Sequence, residues 1–434
     1  MIAHRFISEA SFDHLDSGVS TRHLLWTPAL VGFYFSFRTA IVLISARLFL
    51  LEPQVGAAVG LAVGFLLLLV VAFQSAGPAT QSLRWMVRIS TLRWVIAYLA
   101  FAACSFAWSG AVSLPSSFLY WCGVATDVGI VVLMLRAGPV EEIAHSVIKG
   151  FIASTCVLAT VAWLMPAQPD LRLGDPDFFN TNQIGNLCAF AVLLAQYLMS
   201  RKDGRWGLTV AFLTVTVVRS LSKTTLVAFF LSEGLLLMRD KAMSRRAKLL
   251  IMAAVLAAAL SFWGLYESYY DVYTTAGNQA ETLTGRTAIW AYALSAAVAK
   301  PWFGNGFDAL WKVMPPFGPD QFEARHAENE LLQQFFAYGV FGVVFLIGLY
   351  GSLYRRMRRL PVGPARLVLT AMFVFVVIRG FAEAEPFDLL LPLWSITLLS
   401  ALLTAELDSN TTPARAVAMR GLPVQWQPRR NDGL

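Results

Sequence analysis

Charge is scarce in this chain: Asp, Glu, Lys and Arg make up 14% of its 434 residues, against 57% that are hydrophobic. Soluble globular domains carry about a quarter charged residues, so this composition excludes an ordinary soluble fold and points to a membrane. Cysteine is scarce too. Cys104, Cys122, Cys156 and Cys188 lie within or at the edge of apolar runs, without C-x-x-C or metal-ligand spacing. They read as small buried hydrophobes, which argues against a disulfide framework, and no bound metal or cofactor is expected. Residues 1–24 carry charges throughout and lack the apolar core of a cleavable signal peptide. The first apolar run is therefore expected to remain in the mature protein.

What the chain has instead is long apolar runs. A helix needs about 20 mainly apolar residues to cross the hydrocarbon core. Reading such runs between polar breaks gives the spans 27–50, 55–74, 93–109, 117–135, 143–164, 183–200, 206–219, 222–238, 249–266, 331–350, 366–381 and 389–405. The expected fold is an all-α polytopic membrane protein of about twelve transmembrane helices. Its N-terminal arm would be 1–26, its membrane domain 27–405 and its tail 406–434, with both ends in the cytoplasm. A long structured periplasmic loop, 267–330, separates helices nine and ten, and such loops are usually functional.

The net charge of +7 could suggest a nucleic-acid partner, but the basic residues sit in short loops. Arg84, Arg88 and Arg93 form one group; Arg201, Lys202 and Arg205 another; Arg239, Lys241, Arg245, Arg246 and Lys248 a third; Arg355, Arg356, Arg358 and Arg359 a fourth. An excess of Lys and Arg in short cytoplasmic loops sets orientation, so these are topology signals and no nucleic-acid partner is expected. Stretch 206–238 tests the scheme, because one long crossing would put either Arg201–Arg205 or Arg239–Lys248 outside. Two short crossings keep both inside. Their turn, Ser220-Leu221-Ser222, then faces an outward vestibule recessed below the membrane surface.

Candidate chemistry gathers in the second half. Arg219 and Lys223 are four apart and would project to one side of a helical turn. Cations at membrane depth mark a ligand or ion pathway, and with Arg286 this pair would suit a diphosphate. The alternative is that both reach lipid headgroups, or that Arg219 ends a helix. Around residue 326 runs Arg325-His326-Ala327-Glu328-Asn329-Glu330-Leu331-Leu332-Gln333, where a histidine and carboxylates meet the start of an apolar helix. His326 and Glu328 can take a proton from a hydroxyl, or the acids can simply complement a helix dipole. The strings Gly285–Trp290 and Pro301–Phe307 offer glycines for tight turns and aromatics for an interface or a sugar face. Asn180, Asn182 and Gln183 stand at a helix entrance, where they cap it or meet sugar hydroxyls. Deeper charges, Arg38 and Asp127, each need a partner or an aqueous cavity, and Glu383, Glu385 and Asp388 form an acidic cluster before the last span, placed to pair with the basic vestibule or to bind acceptor sugar.

In order, Ser220-Leu221-Ser222-Lys223, Gly285-Arg286-Thr287 with Trp290, Pro301 with Gly304-Asn305-Gly306-Phe307, and Glu328-Asn329 with Leu332-Gln333 and Gly339, Gly342 resemble the landmarks of the O-antigen ligase and polysaccharide polymerase superfamily, the Wzy/WaaL-like membrane proteins. The resemblance covers roughly residues 180–350. Lys223 stands where many members have Arg, which is closest to the exopolysaccharide polymerases. Glu328 stands where the signature's histidine usually lies, with His326 two residues earlier, so either of them is the base. The resemblance implies inverting, metal-independent glycosyl transfer from an undecaprenyl-diphosphate-linked oligosaccharide to a growing glycan at the periplasmic face of the bacterial inner membrane. Arg219, Lys223 and Arg286 would hold the diphosphate, His326 or Glu328 would ready the acceptor, and Asn329, Ser222 and Asn182 would support the site or bind sugar. The lipid tail would lie in a groove between spans, and chain-length regulators and export proteins are implied partners. An O-antigen ligase transferring glycan to lipid A core or protein is the nearest alternative. A flippase or transporter is a third, and it would predict an internal repeat and paired broken helices, neither of which is visible.

Overall fold

The protein is described from a computed structural model, over residues 13–77, 79–166, 168, 171–175, 177–239, 244–261, 283–311, 314–316 and 323–420. Parts of the N-terminal arm, of loop 267–330 and of the tail lie outside those residues. Fourteen α-helices occur among the described residues, with no strand. They are α1 Asp13–Arg47, α2 Pro53–Gln74, α3 Leu83–Arg88, α4 Ser90–Cys104, α5 Leu114–Ala137, α6 Val140–Leu164, α7 Thr181–Ser200, α8 Gly207–Ser220, α9 Lys223–Arg239, α10 Arg245–Ser261, α11 Leu283–Ala299, α12 Glu330–Arg359, α13 Pro364–Arg379 and α14 Leu393–Arg420.

Every one of the twelve apolar runs is helical over most of its described length. Among the described residues, seven helices are long and apolar enough to cross a membrane: Trp26–Arg47, α2, Ser90–Ala107, α5, α6, α7 and α12. The protein is a multi-pass membrane protein on that composition. Backbone groups in hydrocarbon must be satisfied within the segment, which is why helices carry these runs. Without a hydrophobic drive between helices in lipid, close packing decides which of them meet. Thus α1 and α6 cross with backbones in contact: a Cβ on Gly32 would lie 1.9 Å from the Val147 carbonyl oxygen, and the Ser36 and Thr155 hydroxyls bond at 3.0 Å.

Contacts between loops sort into two ends of the bundle. At one, Arg47 bonds Asp175, Ser109 bonds the Phe307 carbonyl, and Ser117 bonds Asp308. At the other, Arg201 pairs with Glu141 and Glu406, Lys149 with Asp203, and Arg356 with Thr404. The first end holds the site. Stretch 206–238 is broken there: Leu221 takes φ 59°, ending α8, and α9 begins two residues later. The Thr181 hydroxyl donates to the Ser220 carbonyl at the start of α7, and Gln196 bonds Glu233 further along. So α9 runs beside α7 in the same direction and the chain reverses at Leu221. That turn corrects one expectation. Arg219 closes α8 while Lys223 opens α9, so the two are not an i, i+4 pair on one helix, because the left-handed Leu221 separates them.

The described residues of 283–329 share a small core with α12. Ile289, Ala293 and Ala297 of α11 pack with Ala309, Leu310, Ala324, Ala327 and Phe336. Gly285, expected in a tight turn, lies instead within the first turn of α11. Helix-forming Ala, Leu and Ile follow it, and the apolar face they make is covered from below.

Candidate functional site

The site is built where α12 starts. Asn329 caps that helix, its side chain accepting from the Leu332 amide at 2.9 Å and donating to the Phe381 carbonyl at 3.0 Å. A helix N-terminus needs such a cap because its first amides have no partner within the helix. Just before it, Glu328 takes φ 50°, a left-handed conformation that costs a non-glycine residue about 1–2 kcal/mol. Its surroundings over-determine it: the Trp290 indole donates to its carbonyl at 3.2 Å, and the Ala327 amide donates to Gln333 at 2.8 Å. Strain of this kind concentrates where a side chain has to be aimed.

Further along, α12 is broken at Gly339, with φ 63° and ψ −149°. A break frees backbone groups, and the string from Pro301 satisfies them. Val340 donates to the Pro301 carbonyl at 2.7 Å, Asn305 to Phe336 at 2.9 Å, and Gly306 to Ala337 at 2.8 Å. Contact is so close that a Cβ on Gly339 would lie 2.4 Å from the Trp302 carbonyl, and one on Gly304 2.5 Å from that of Ala337. The glycines of the two motifs therefore serve one another. They dock the 301–306 segment on the broken helix and fix the entry of α12.

Charged side chains from three segments meet at that entry. Arg286, on α11, points one nitrogen at two carboxylates: its Nη2 lies 3.5 Å from Glu328 Oε2 and 3.2 Å from Glu383 Oε1. His326 Nδ1 lies 3.7 Å from Glu328 Oε1, an ionic contact longer than a hydrogen bond. Glu383 is 4% exposed, and its Oε1 also accepts from the Thr224 hydroxyl at 3.1 Å. Its Oε2 lies 3.8 Å from Nη2 of Arg379, which is 3% exposed. The result is a line of alternating charge, Arg379, Glu383, Arg286, Glu328, His326. Burial pushes the Glu328 carboxyl up, against the pull of His326 and Arg286, and Glu383 pushes the same way as burial. A carboxylate with a raised pKa is a stronger base than a free one.

Of the residues expected at the site, Arg286, Glu328 and His326 are brought together. Lys223 is exposed at the start of α9, next in sequence to Thr224, whose hydroxyl donates to Glu383. Arg219 donates to the Leu171 carbonyl at 2.9 Å, in the segment between α6 and α7. Ser222 donates to Asn182 at 2.8 Å, joining the turn to α7, while the cap of α7 is Asn180. Arg38 and Asp127 pair with each other. Sequence reading assigned no role at the site to Thr224 or Arg379. Their signal was present in part, since Arg379 is a cation at the end of an apolar run, where charge is costly. Glu330, the second acid of the string, is turned inward: its Oε1 accepts from the Tyr350 hydroxyl at 2.7 Å and the Leu390 amide at 2.8 Å. It ties the loop before α14 to α12.

Beside the charged line an apolar groove of about 480 Å³ opens between α11 and α12. Trp290, Leu294, Leu331, Leu332, Phe335 and Val343 line it, and Asn329 stands at its polar end. Arg286 lies one helical turn before Trp290 on α11, outside the lining of the groove.

Residues 208–347 match the family model Wzy_C, described as O-Antigen ligase. All four motifs fall inside that stretch. The Exopolysaccharide production protein ExoQ of Rhizobium meliloti (strain 1021) is 23% identical over 320 residues, which are 67% of this chain and 72% of the relative. Both findings support the resemblance to the O-antigen ligase and polysaccharide polymerase superfamily.

Proposed function

We propose that this protein is an inner-membrane glycosyltransferase that joins undecaprenyl-diphosphate-linked oligosaccharide repeat units into an extracellular polysaccharide at the periplasmic face. In this reading the chain crosses twelve times with both termini in the cytoplasm, and chain-length regulators and export proteins act downstream. What carries it is one observation: Arg286 stands 3.5 Å from Glu328, and Trp290, one turn further along the same helix, lines an apolar groove. A cation for the diphosphate, a proton acceptor and an apolar path for lipid are thus carried by neighbouring turns of α11 and the entry of α12.

Each group then has a task. Arg286 and Lys223, with Arg219 behind the turn, hold the diphosphate, whose charge grows as the glycosyl bond to phosphate breaks. Electrostatic stabilisation of a leaving group in a water-poor site is commonly the largest catalytic contribution. Glu328 or His326 takes the proton of the acceptor hydroxyl as its oxygen attacks the anomeric carbon from the opposite face, inverting it. The strained backbone and the burial of Glu328 favour the carboxylate for this part. Asn329, Ser222 and Asn182 keep the helix entrances in place, and the groove takes the isoprenoid chain. The similarity to a protein named for exopolysaccharide production favours polymerisation. The family description favours the second reading, a ligase with the same donor and a lipid A core acceptor.

The test is turnover of a purified lipid-linked repeat unit by protein in lipid vesicles. Arg286→Gln is expected to lose about a hundredfold or more, as removal of a transition-state donor does elsewhere, and Lys223→Gln to lose less. Unchanged turnover in both, with intact protein, would overturn the reading.

A further inference from the structure

Arg379 is buried at the end of α13 with no side-chain hydrogen bond among the described residues. Its Nε and Nη1 have no partner among the described residues, and Nη2 has only the 3.8 Å contact to Glu383. Carrying a guanidinium to this depth is expensive, so some charge must hold it there. The charges around it are carboxylates: Glu383 one turn on, with Glu330 and Glu385 inside the reach of its field.

Glu383 divides its two oxygens. Oε2 faces Arg379, while Oε1 receives Arg286 at 3.2 Å and Thr224 at 3.1 Å. A carboxylate placed this way aims Arg286, but alone it would also cancel it. The two carboxylates that touch Arg286, Glu383 and Glu328, outweigh it by one formal charge. Arg379 offsets one of them and draws the charge of Glu383 toward its own side.

We propose that Arg379 is a positioning residue that acts through Glu383: it shares the carboxylate's charge from behind, so that Arg286 is oriented without being neutralised toward the lipid diphosphate. This rests on the reading of Arg286 as the diphosphate clamp. Arg379 itself, almost wholly enclosed, touches no substrate.

The consequence is a specific coupling. In vesicles with purified lipid-linked repeat unit, Arg379→Gln raises the donor KM, and the inhibition constant of inorganic pyrophosphate, by about tenfold, the scale of one lost charge pair in a partly buried site. The value of kcat changes less. Arg379→Lys, which keeps the charge, restores most of the affinity. With Glu383→Gln already in place there is no carboxylate for Arg379 to balance, so Arg379→Gln then adds little; a double-mutant cycle isolates this. A residue needed only for the stability of the core would lower the thermal midpoint and leave donor KM and pyrophosphate inhibition alone, and that result overturns the proposal. If Arg379→Gln does not fold, the residual effect of Arg379→Lys decides: a rise in donor KM that disappears once Glu383→Gln is in place supports the proposal, and the same rise with and without Glu383→Gln rejects it. Should Arg286→Gln retain turnover, the functional reading fails first. Should Arg286→Gln be inactive while Arg379→Gln leaves donor KM unchanged, only the present inference fails.

Discussion

Replacing Gly339 by alanine probes the joint that sets the site. Gly339 has φ 63° and ψ −149°, a region that is close to glycine-only and costs other residues on the order of 1–3 kcal/mol. Space forbids the methyl as well, because it would lie 2.4 Å from the carbonyl carbon and oxygen of Trp302, which are backbone atoms and cannot swing aside. The 301–306 segment must move, and the 2.7 Å bond from Val340 to Pro301 is lost with it. One such bond is worth about 1 kcal/mol. Together these give about 3 kcal/mol against the folded joint. The matched control is Gly351→Ala on the same helix, where no atom lies within 4 Å of the added carbon. Thermal midpoints in detergent, followed by fluorescence-detected gel filtration, should fall by several degrees for Gly339→Ala and stay or rise slightly for Gly351→Ala. Polysaccharide should also fail at temperatures where Gly339→Ala remains folded, because the entry of α12 carries Glu328. Equal midpoints for the two variants would refute the reasoning.

Three further outcomes follow from the same geometry. Burial holds the Glu328 carboxyl above its ordinary 4.5 and only the ionised form accepts a proton, so turnover should rise as pH climbs through that raised value and vanish below it; Glu328→Gln should remove this acidic limb and His326→Gln should not, whereas a limb that survives Glu328→Gln moves the base elsewhere. Tyr350→Phe strips the buried Glu330 of its 2.7 Å donor and should cost about 1.5–3 kcal/mol, seen as a lowered thermal midpoint; an unchanged midpoint contradicts the role given to that bond. Leu294→Arg sets a charge in the groove between α11 and α12 and should weaken donor binding while a soluble pyrophosphate probe binds as before, and equal loss of both would show that the groove is not the lipid path.

The helices were legible because hydrophobic length is written directly along the chain. The break at Leu221 was legible too, through charge: two basic loops could share one side only if the chain turned back between them. Other features needed the third dimension. Arg38 and Asp127 are 89 residues apart and each announced a missing partner without naming it. The glycines at 304 and 339 signalled backbone latitude, yet nothing local told that each makes room for the other's backbone. Gly285 was misread as a turn because its neighbours on the outer segment are broken by Pro and Gly, while the apolar face of α11 is defined only by the small core beneath it. His326, Glu328 and Arg286 could be gathered from motifs in order. Glu383 was legible only as one acid of a cluster able to pair with the basic vestibule, and its link to Arg379 was not, since that lies in which oxygen faces which guanidinium.

The central claim is that a glycosyl bond is made at the expense of a bond to a lipid diphosphate. It is met most directly by a single-turnover experiment with purified protein, using a repeat unit labelled on its sugar and on its undecaprenyl diphosphate. Release of free undecaprenyl diphosphate, one for each repeat added to a glycan still attached to a second lipid, is the expected result. Movement of label across the membrane with no new glycosyl bond and no undecaprenyl diphosphate released would contradict it, whereas transfer only after lipid A core is supplied would keep the claim and select the ligase reading.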